Sequence, residues 1–272
     1  MSQAENCRTS DIYNATQPTR VSITGIDGAG KDSVARDALR MVAEDHRVVK
    51  LGRPAYLFER GREQQIFSKI TGAFDRIHRV ADCHRSPASI TIANALNVIT
   101  QTRLLEPLVM RSDPKPELLV SSRDPRIDPA VYLSYYAPRK ANRLSFDQRV
   151  ERMQKLTNVS RNLVIRLCVD PELAVTRIQD RMIAEQETRS EICANQAGMR
   201  DKWGHMHENA TDLAMLADGY GHALHALRRI VPTAVVEIDT DNRDRHEVAS
   251  LVQSTISASM NGSIDSGDWY RL

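Results

Sequence analysis

Gly25, Gly30 and Lys31 stand at the spacing G-x-x-x-x-G-K, within the run Thr24-Gly25-Ile26-Asp27-Gly28-Ala29-Gly30-Lys31-Asp32-Ser33. This pattern suits one kind of chemistry. Glycines let the backbone curl so that successive N–H groups converge on a phosphate. A helix starting just after them adds the positive end of its dipole, and the lysine reaches the outer phosphates. Gly25, Gly28, Ala29, Gly30, Lys31, Asp32 and Ser33 are therefore the expected phosphate cradle. The pattern ordinarily continues with Ser or Thr, whose hydroxyl ligates Mg²⁺. Here the next residue is Asp32, with Ser33 one place later. A carboxylate is a good ligand for a hard cation and also complements a helix N-terminus. Asp32 can serve either end.

Such a cradle needs a strand before it and a helix after it. Arg20–Thr24 is a β-rich run ending at the first glycine, and Ser33–Asp45 carries Val34, Ala38, Met41 and Val42 at helical spacing. Further strands are expected at Val48–Leu51, Glu117–Ser122, Asn162–Val169 and Ala234–Ile238. Helices are expected over 61–80, 88–111, 172–186, 207–230 and 247–259. Short apolar strands separated by helices require crossover connections. The expected fold is one three-layer α/β domain over 19–260, with a five-stranded parallel sheet and helices on both faces. Residues 1–18 and 261–272 are polar and aperiodic, and read as tails. Ligands of such sheets bind beyond the carboxyl ends of the strands, where the glycine run lies.

Composition narrows the function classes. The 272 residues carry 37 Lys+Arg against 35 Asp+Glu, a net charge of +2, which excludes a strongly basic nucleic-acid coat. Aromatics make up 5%, too few for a base-stacking nucleic-acid surface. No apolar run reaches the roughly 18 residues of a membrane span, and the first residues have no apolar core of a secretory signal. The four cysteines are scattered without CxxC pairs, so a cytoplasmic protein with reduced thiols is expected. Seven of the 37 basic residues are Lys, leaving 30 Arg, and guanidinium suits bidentate phosphate contacts. The histidines give no zinc-site spacing.

The string GIDGAGK resembles the loop of the thymidylate kinases, which are P-loop nucleoside monophosphate kinases. Other segments follow in that family's order. Arg53-Pro54 comes after the second strand, and Thr100-Gln101-Thr102-Arg103 stands where the family has Ala-Ala-Asp-Arg. LLVSSRDPRIDPAVY (118–132) is similar to the family's strand ending in Asp-Arg-Tyr and the Ala-Tyr segment beyond it. VDPELAVTRIQDR (169–181) is similar to V-D-P-E-x-A-L-x-R-x-x-x-R, which opens the lid, and VVEIDTDN (235–242) to the last strand. The resemblance implies a P-loop NTPase fold and ATP with Mg²⁺ as donor and cofactor. It implies that Lys31 and the loop amides hold the ATP phosphates, with Asp27, beside Asp32, near the metal or the acceptor phosphate. Arg53, Arg103, Arg123 and Tyr132 fall in the acceptor-binding segments. By the same resemblance Arg177 and Arg181, one helical turn apart, come from a lid over about 177–205 and neutralise the phosphoryl group in flight, with Arg189 the next arginine along that segment.

The implied reaction is phosphoryl transfer from ATP to a nucleoside monophosphate, (d)TMP first, by a homodimer pairing through a helical face such as 88–111. The chain departs from the family at the base-reading positions. Ile99 stands for the thymine-stacking aromatic, Thr102 for the Asp before the arginine, and Ser122 for the Asp before Arg123. Val131-Tyr132-Leu133 is displaced by one residue. Two alternatives stay open beside the first reading. One is a kinase of a nucleoside or another small molecule; the other is a nucleotide-binding relative with impaired turnover.

Overall fold

The computed structural model describes residues 17–84, 87–136, 143–190 and 209–272. The elements run β1 (Thr19–Thr24), α1 (Lys31–Val42), β2 (Val48–Leu51), β3 (Ala55–Glu59), β4 (Arg62–Ile66), α2 (Ser68–His84) and α3 (Pro87–Ile99). A π-helical stretch (Thr100–Leu105) leads into α4 (Glu106–Met110). There follow β5 (Leu118–Ser121), α5 (Asp128–Tyr136), α6 (Phe146–Thr157), β6 (Leu163–Cys168), α7 (Pro171–Ser190), α8 (Ala210–Ile230), β7 (Ala234–Asp239), α9 (Arg245–Met260) and β8 (Trp269–Arg271).

Among the described residues the sheet has eight strands, not the five expected, in the order β4-β3-β2-β5-β1-β6-β7-β8. The five expected strands are its parallel centre, β2-β5-β1-β6-β7. They are largely apolar, and β2 and β5 are buried at every position, as both covered faces require.

The extra strands have local causes. β3 and β4 form an antiparallel hairpin on one edge, in the segment where a helix from residue 61 was expected. Its two turn residues, Arg60 and Gly61, both have positive φ (52° and 68°), the backbone of two-residue turns that match the twist of the strands. At the other edge β8 pairs parallel to β7, although 261–272 reads as a tail. Trp269 anchors it, donating from Nε1 to Glu237 Oε2 at 3.1 Å and lying against Arg228.

On one face α1 packs against α9. The buried row Val34, Ala35, Ala38, Leu39 and Val42 of α1 recurs at helical spacing, leaving Arg36, Asp37 and Arg40 outward. On the other face α8 packs against α5, α6 and α7. Capping boxes start α6 (Ser145 with Gln148) and α9 (Asp244 with Glu247). A smaller core, Val49, Leu51, Ala55, Leu105, Val109 and Leu119, sits beneath α4 and the hairpin. Among the described residues no helix is long and apolar enough to cross a membrane. Residues 1–16 and most of the expected lid, 191–205, lie outside the described residues.

Candidate phosphate cleft

β1 ends at the centre of the sheet, and the chain turns there through Gly25–Gly30 into α1. Two glycines are fixed by close approach. A Cβ at Gly25 (φ +144°) would lie 2.4 Å from the Leu167 carbonyl oxygen of β6, and one at Gly28 (φ +85°) would lie 2.6 Å from that of Ala174 in α7. Only glycine fits either place. No side chain caps the first turn of α1, so its N–H groups and dipole stay available to an anion. Lys31 is buried and its Nζ donates to the Ile26 carbonyl oxygen at 2.7 Å and to Asp27 Oδ1 at 3.4 Å. The ammonium is thus held over the loop.

This loop floors a cleft of about 540 Å³. Asp27, Gly28, Gly30, Lys31, Asp32 and Ser33 line it from the loop side, Arg53 and Arg123 from just past β2 and β5, and Arg177 and Arg181 from helix α7. Gly25 and Ala29 are buried inside the turn and shape it instead of lining the cleft. Three polar side chains with no role assigned from sequence also line it: Lys50, Asn97 and Gln101. Six basic side chains face two carboxylates there, an excess of four positive charges.

Lys50 comes from β2, where it interrupts an otherwise apolar strand, and it is as buried as Lys31. Its Nζ meets Asp32 Oδ1 at 2.9 Å. Asp32 is exposed to the cleft; the walls around it push its carboxyl up, but Lys50, helped by Lys31 and Arg123, outweighs this and holds it below the ordinary carboxylate range. Asp32 is therefore a charged carboxylate paired with a lysine. Ser33 Oγ donates to the Gly30 carbonyl oxygen at 3.0 Å.

Arg123 leaves the end of β5 over the ring of Tyr132, 5.5 Å from its centroid. The Tyr132 hydroxyl raises its already high pKa, against an opposing effect of burial, and the Asp27 and Asp128 carboxylates add to the rise. Burial likewise pushes the Tyr132 phenol well up, so it stays protonated. Tyr132 thus backs Arg123 from outside the cleft.

Arg103 is not brought to the cleft. It is exposed, and its Nη2 donates to the Leu156 carbonyl oxygen at 2.6 Å. With Tyr132, Val98, Ile99 and Leu156 it borders a separate, largely apolar cavity of about 330 Å³. The cause lies in the helix. The π-helical stretch Thr100–Leu105 inserts an extra residue into the turn, so residues along it do not keep α-helical phase. Gln101 enters the cleft instead, four residues after Asn97. Asn97 Oδ1 accepts from Arg53 Nε at 3.1 Å and from Gln101 Nε2 at 3.3 Å. Gln101 Oε1 is buried and has no partner among the described residues. Paired amides at i, i+4 in an otherwise apolar helix were the available sequence signal.

The residues suit a polyphosphate with a divalent cation. Three features suit it: the uncapped helix start, the cationic excess, and a hard-oxygen set of Asp27, Asp32 and the Ser33 hydroxyl. Among the described residues no three His, Cys, Asp or Glu side chains form a metal cluster by themselves, so most coordination would come from phosphate oxygens and water, as is usual for Mg²⁺.

No family model matches the chain, and no curated protein matches it in sequence. Solved structures do match in fold. One is a deoxyadenosine kinase from M. mycoides with dCMP and a flexible dCDP bound as products; it is 14% identical, with a TM-score of 0.51, over 88% of this chain and 100% of that one. At that identity the likeness establishes the fold: this chain has the α/β architecture, with its largely parallel sheet and flanking helices, on which that kinase is built.

Proposed function

We propose that the chain transfers a phosphoryl group from ATP to a nucleotide-type acceptor, a nucleoside monophosphate with (d)TMP the first candidate. One observation carries the reading. Cations from four separate segments, Lys31, Arg53, Arg123 and the pair Arg177 and Arg181, meet in one cleft over an uncapped helix start. Phosphoryl transfer needs mainly alignment and charge neutralisation, and this arrangement supplies both. The loop amides and Lys31 would hold the donor phosphates. Arg53 and Arg123 would hold the acceptor phosphate, whose oxygen forms the new P–O bond as the bond to the ADP leaving group breaks. Asp27 and Asp32 would meet Mg²⁺, which supplies charge neutralisation between donor phosphates. Exposed Ile92, Ile99, Leu104 and Leu108 support pairing of two copies through the helix that carries them.

A second reading, transfer to a nucleoside hydroxyl, draws on the position of Arg103. The arginine expected to grip an acceptor phosphate lies outside the cleft, and the fold neighbour is a deoxyadenosine kinase. The test is ADP release from ATP and Mg²⁺ against a panel of nucleoside monophosphates and nucleosides. Turnover with (d)TMP or another monophosphate supports the first reading, and turnover with nucleosides alone the second. Tight ATP binding without transfer to any acceptor would overturn both.

A further inference from the structure

We propose that Asp128 is a positioning residue, a buried strut that fixes the distance between the phosphate loop and Arg123. The proposal rests on the reading that these two elements act together on a phosphoryl group. Asp128 does not line the cleft. It sits in the first turn of α5 with its side chain inside the protein. Its Oδ2 accepts from the Thr24 hydroxyl at 3.1 Å and from the Asp124 backbone N–H at 2.7 Å, and its Oδ1 accepts from the Tyr220 hydroxyl at 2.8 Å. Thr24 is the last residue of β1, next to Gly25, and Asp124 follows Arg123 in the chain. One carboxylate oxygen therefore joins the threshold of the loop to the neighbour of the arginine. The third leg, from Tyr220, ties the pair to α8 in the outer helical layer. Thr24, Asp124 and Tyr220 are all fully buried.

The turn that carries Arg123 is built as a rigid block. Asp124 Oδ1 accepts from the backbone N–H groups of Arg126 (2.8 Å) and Ile127 (3.3 Å) and from Arg126 Nε (3.0 Å), and Oδ2 accepts from Arg126 Nη2 (2.8 Å). Asp128 N closes the turn onto the Asp124 carbonyl oxygen at 3.0 Å. With the turn this stiff, a shift at Thr24 or Asp128 is passed to Arg123 instead of being absorbed. A buried carboxylate is a poor choice if the purpose is stability, since apolar packing does as well. Burial indeed pushes the Asp128 carboxyl upward, against the pull of Arg123 and Tyr220. Its three directed bonds are better explained by placement, because misplacing a reacting group by about 1 Å can cost on the order of 10²-fold in rate.

The test compares Thr24→Val, which cuts the loop leg without changing side-chain shape, with Tyr220→Phe, which cuts only the leg to α8. Each is measured in the full chain for Tm, calorimetric ATP affinity, kcat and KM, and for the Arg123 Nε–H resonance, assigned by its loss in Arg123→Lys. Thr24→Val is expected to lower kcat by about 10- to 100-fold, to leave ATP affinity within about threefold, and to shift or broaden the Arg123 resonance. Tyr220→Phe is expected to lower Tm at least as much but kcat by less than about threefold. Losses of kcat that simply follow Tm in both variants would overturn the strut, as would an Arg123 resonance unmoved by Thr24→Val. The resonance reads the strut even if the wild-type chain transfers to no acceptor, which separates its failure from that of the kinase reading.

Discussion

Arg177 donates to both oxygens of Thr240, 3.0 Å to Oγ1 and 2.7 Å to the carbonyl, and so pins helix α7 to the loop after β7. Thr240 is itself held, its N–H and Oγ1 both donating to the Cys168 carbonyl oxygen at 2.9 Å. Arg181, one turn further along the same helix, lines the cleft and is exposed. Two arginines that look equivalent in sequence therefore differ in freedom. Arg181→Ala should lower kcat far more than it raises the KM for ATP, by about 10³-fold if this arginine meets the phosphoryl group in flight. Arg177→Ala should act more on the KM for ATP, through the released Thr240 loop. Steady-state kinetics on both variants decides, and near-wild-type kcat for Arg181→Ala would mark it as an ordinary solvated charge.

Lys31 is the one basic side chain of the glycine loop, and its ammonium already points along the loop to Ile26 and Asp27. Lys31→Ala should abolish ATP binding measurable by calorimetry, or weaken it by at least about 10²-fold, given the roughly twofold greater strength of charge-assisted hydrogen bonds. Unchanged affinity would show that the loop does not bind the donor phosphates.

Asp32→Thr replaces the carboxylate with the hydroxyl that the loop pattern ordinarily carries, and releases Lys50 from its 2.9 Å ion pair. With both lysines then free to face phosphate, turnover should be equal or higher and less dependent on excess Mg²⁺. Complete loss of turnover would instead establish Asp32 as an adapted ligand. The readout is the Mg²⁺ dependence of kcat in the two proteins.

Arg103→Ala and Arg123→Ala should part company. Arg103 lies outside the cleft, and its removal should leave kcat and acceptor KM within about twofold, as for surface substitutions. Arg123→Ala should raise acceptor KM or lower kcat by more than about tenfold. Equal effects would mean that the cleft reorganises to bring Arg103 in.

Asp124 and Arg126 form a buried ion pair at 2.8 Å. Burial alone would raise the Asp124 carboxyl, but Arg126, with Arg161 behind it, holds it below the ordinary value of 3.8. A lowered carboxyl lends stability that is present above pH about 3.9 and is lost as pH falls through the lowered value. Asp124→Asn should therefore cost about 3–5 kcal/mol in urea denaturation at pH 7, because it leaves a buried guanidinium without its counter-charge. The deficit should narrow as the wild type is taken below pH 3.8. A deficit independent of pH would mean that Asp124 acts through shape alone.

The five central strands and the glycine loop were legible because each depends on local pattern, apolar runs and glycine spacing; Arg53, Arg123, Arg177 and Arg181, which line one cleft, were singled out only through the order of segments shared with the thymidylate kinases. The hairpin was missed because REQQI has no apolar alternation, and its strand character comes from pairing with β3 and the turn at Arg60-Gly61. Arg103 was placed by its resemblance to the family's Ala-Ala-Asp-Arg segment, which takes an ordinary helix for granted, and the π-helical stretch defeats that. Lys50 was passed over as part of an apolar strand, although a single lysine in a strand buried at every position is a costly residue that calls for an anion nearby. The strut at Asp128 joins β1, the turn after β5 and α8, three segments far apart in the chain, so no spacing rule could have shown it.

The two edges of the sheet bear on how the folded chain meets its own copies. An open strand edge is a template for adding a strand from another molecule. At one edge β4 carries Arg62, Glu63, Gln64 and Gln65 in succession, with Glu63 drawn inward to Arg36 and Arg40 at 3.1 and 2.7 Å. At the other edge β8 is three residues long and exposes Tyr270 and Arg271. Neither edge offers a long, flat, apolar ribbon. Crowded copies of this protein should therefore resist the sheet-to-sheet growth that ends in fibrils, and whatever self-association occurs is left to the helical surfaces.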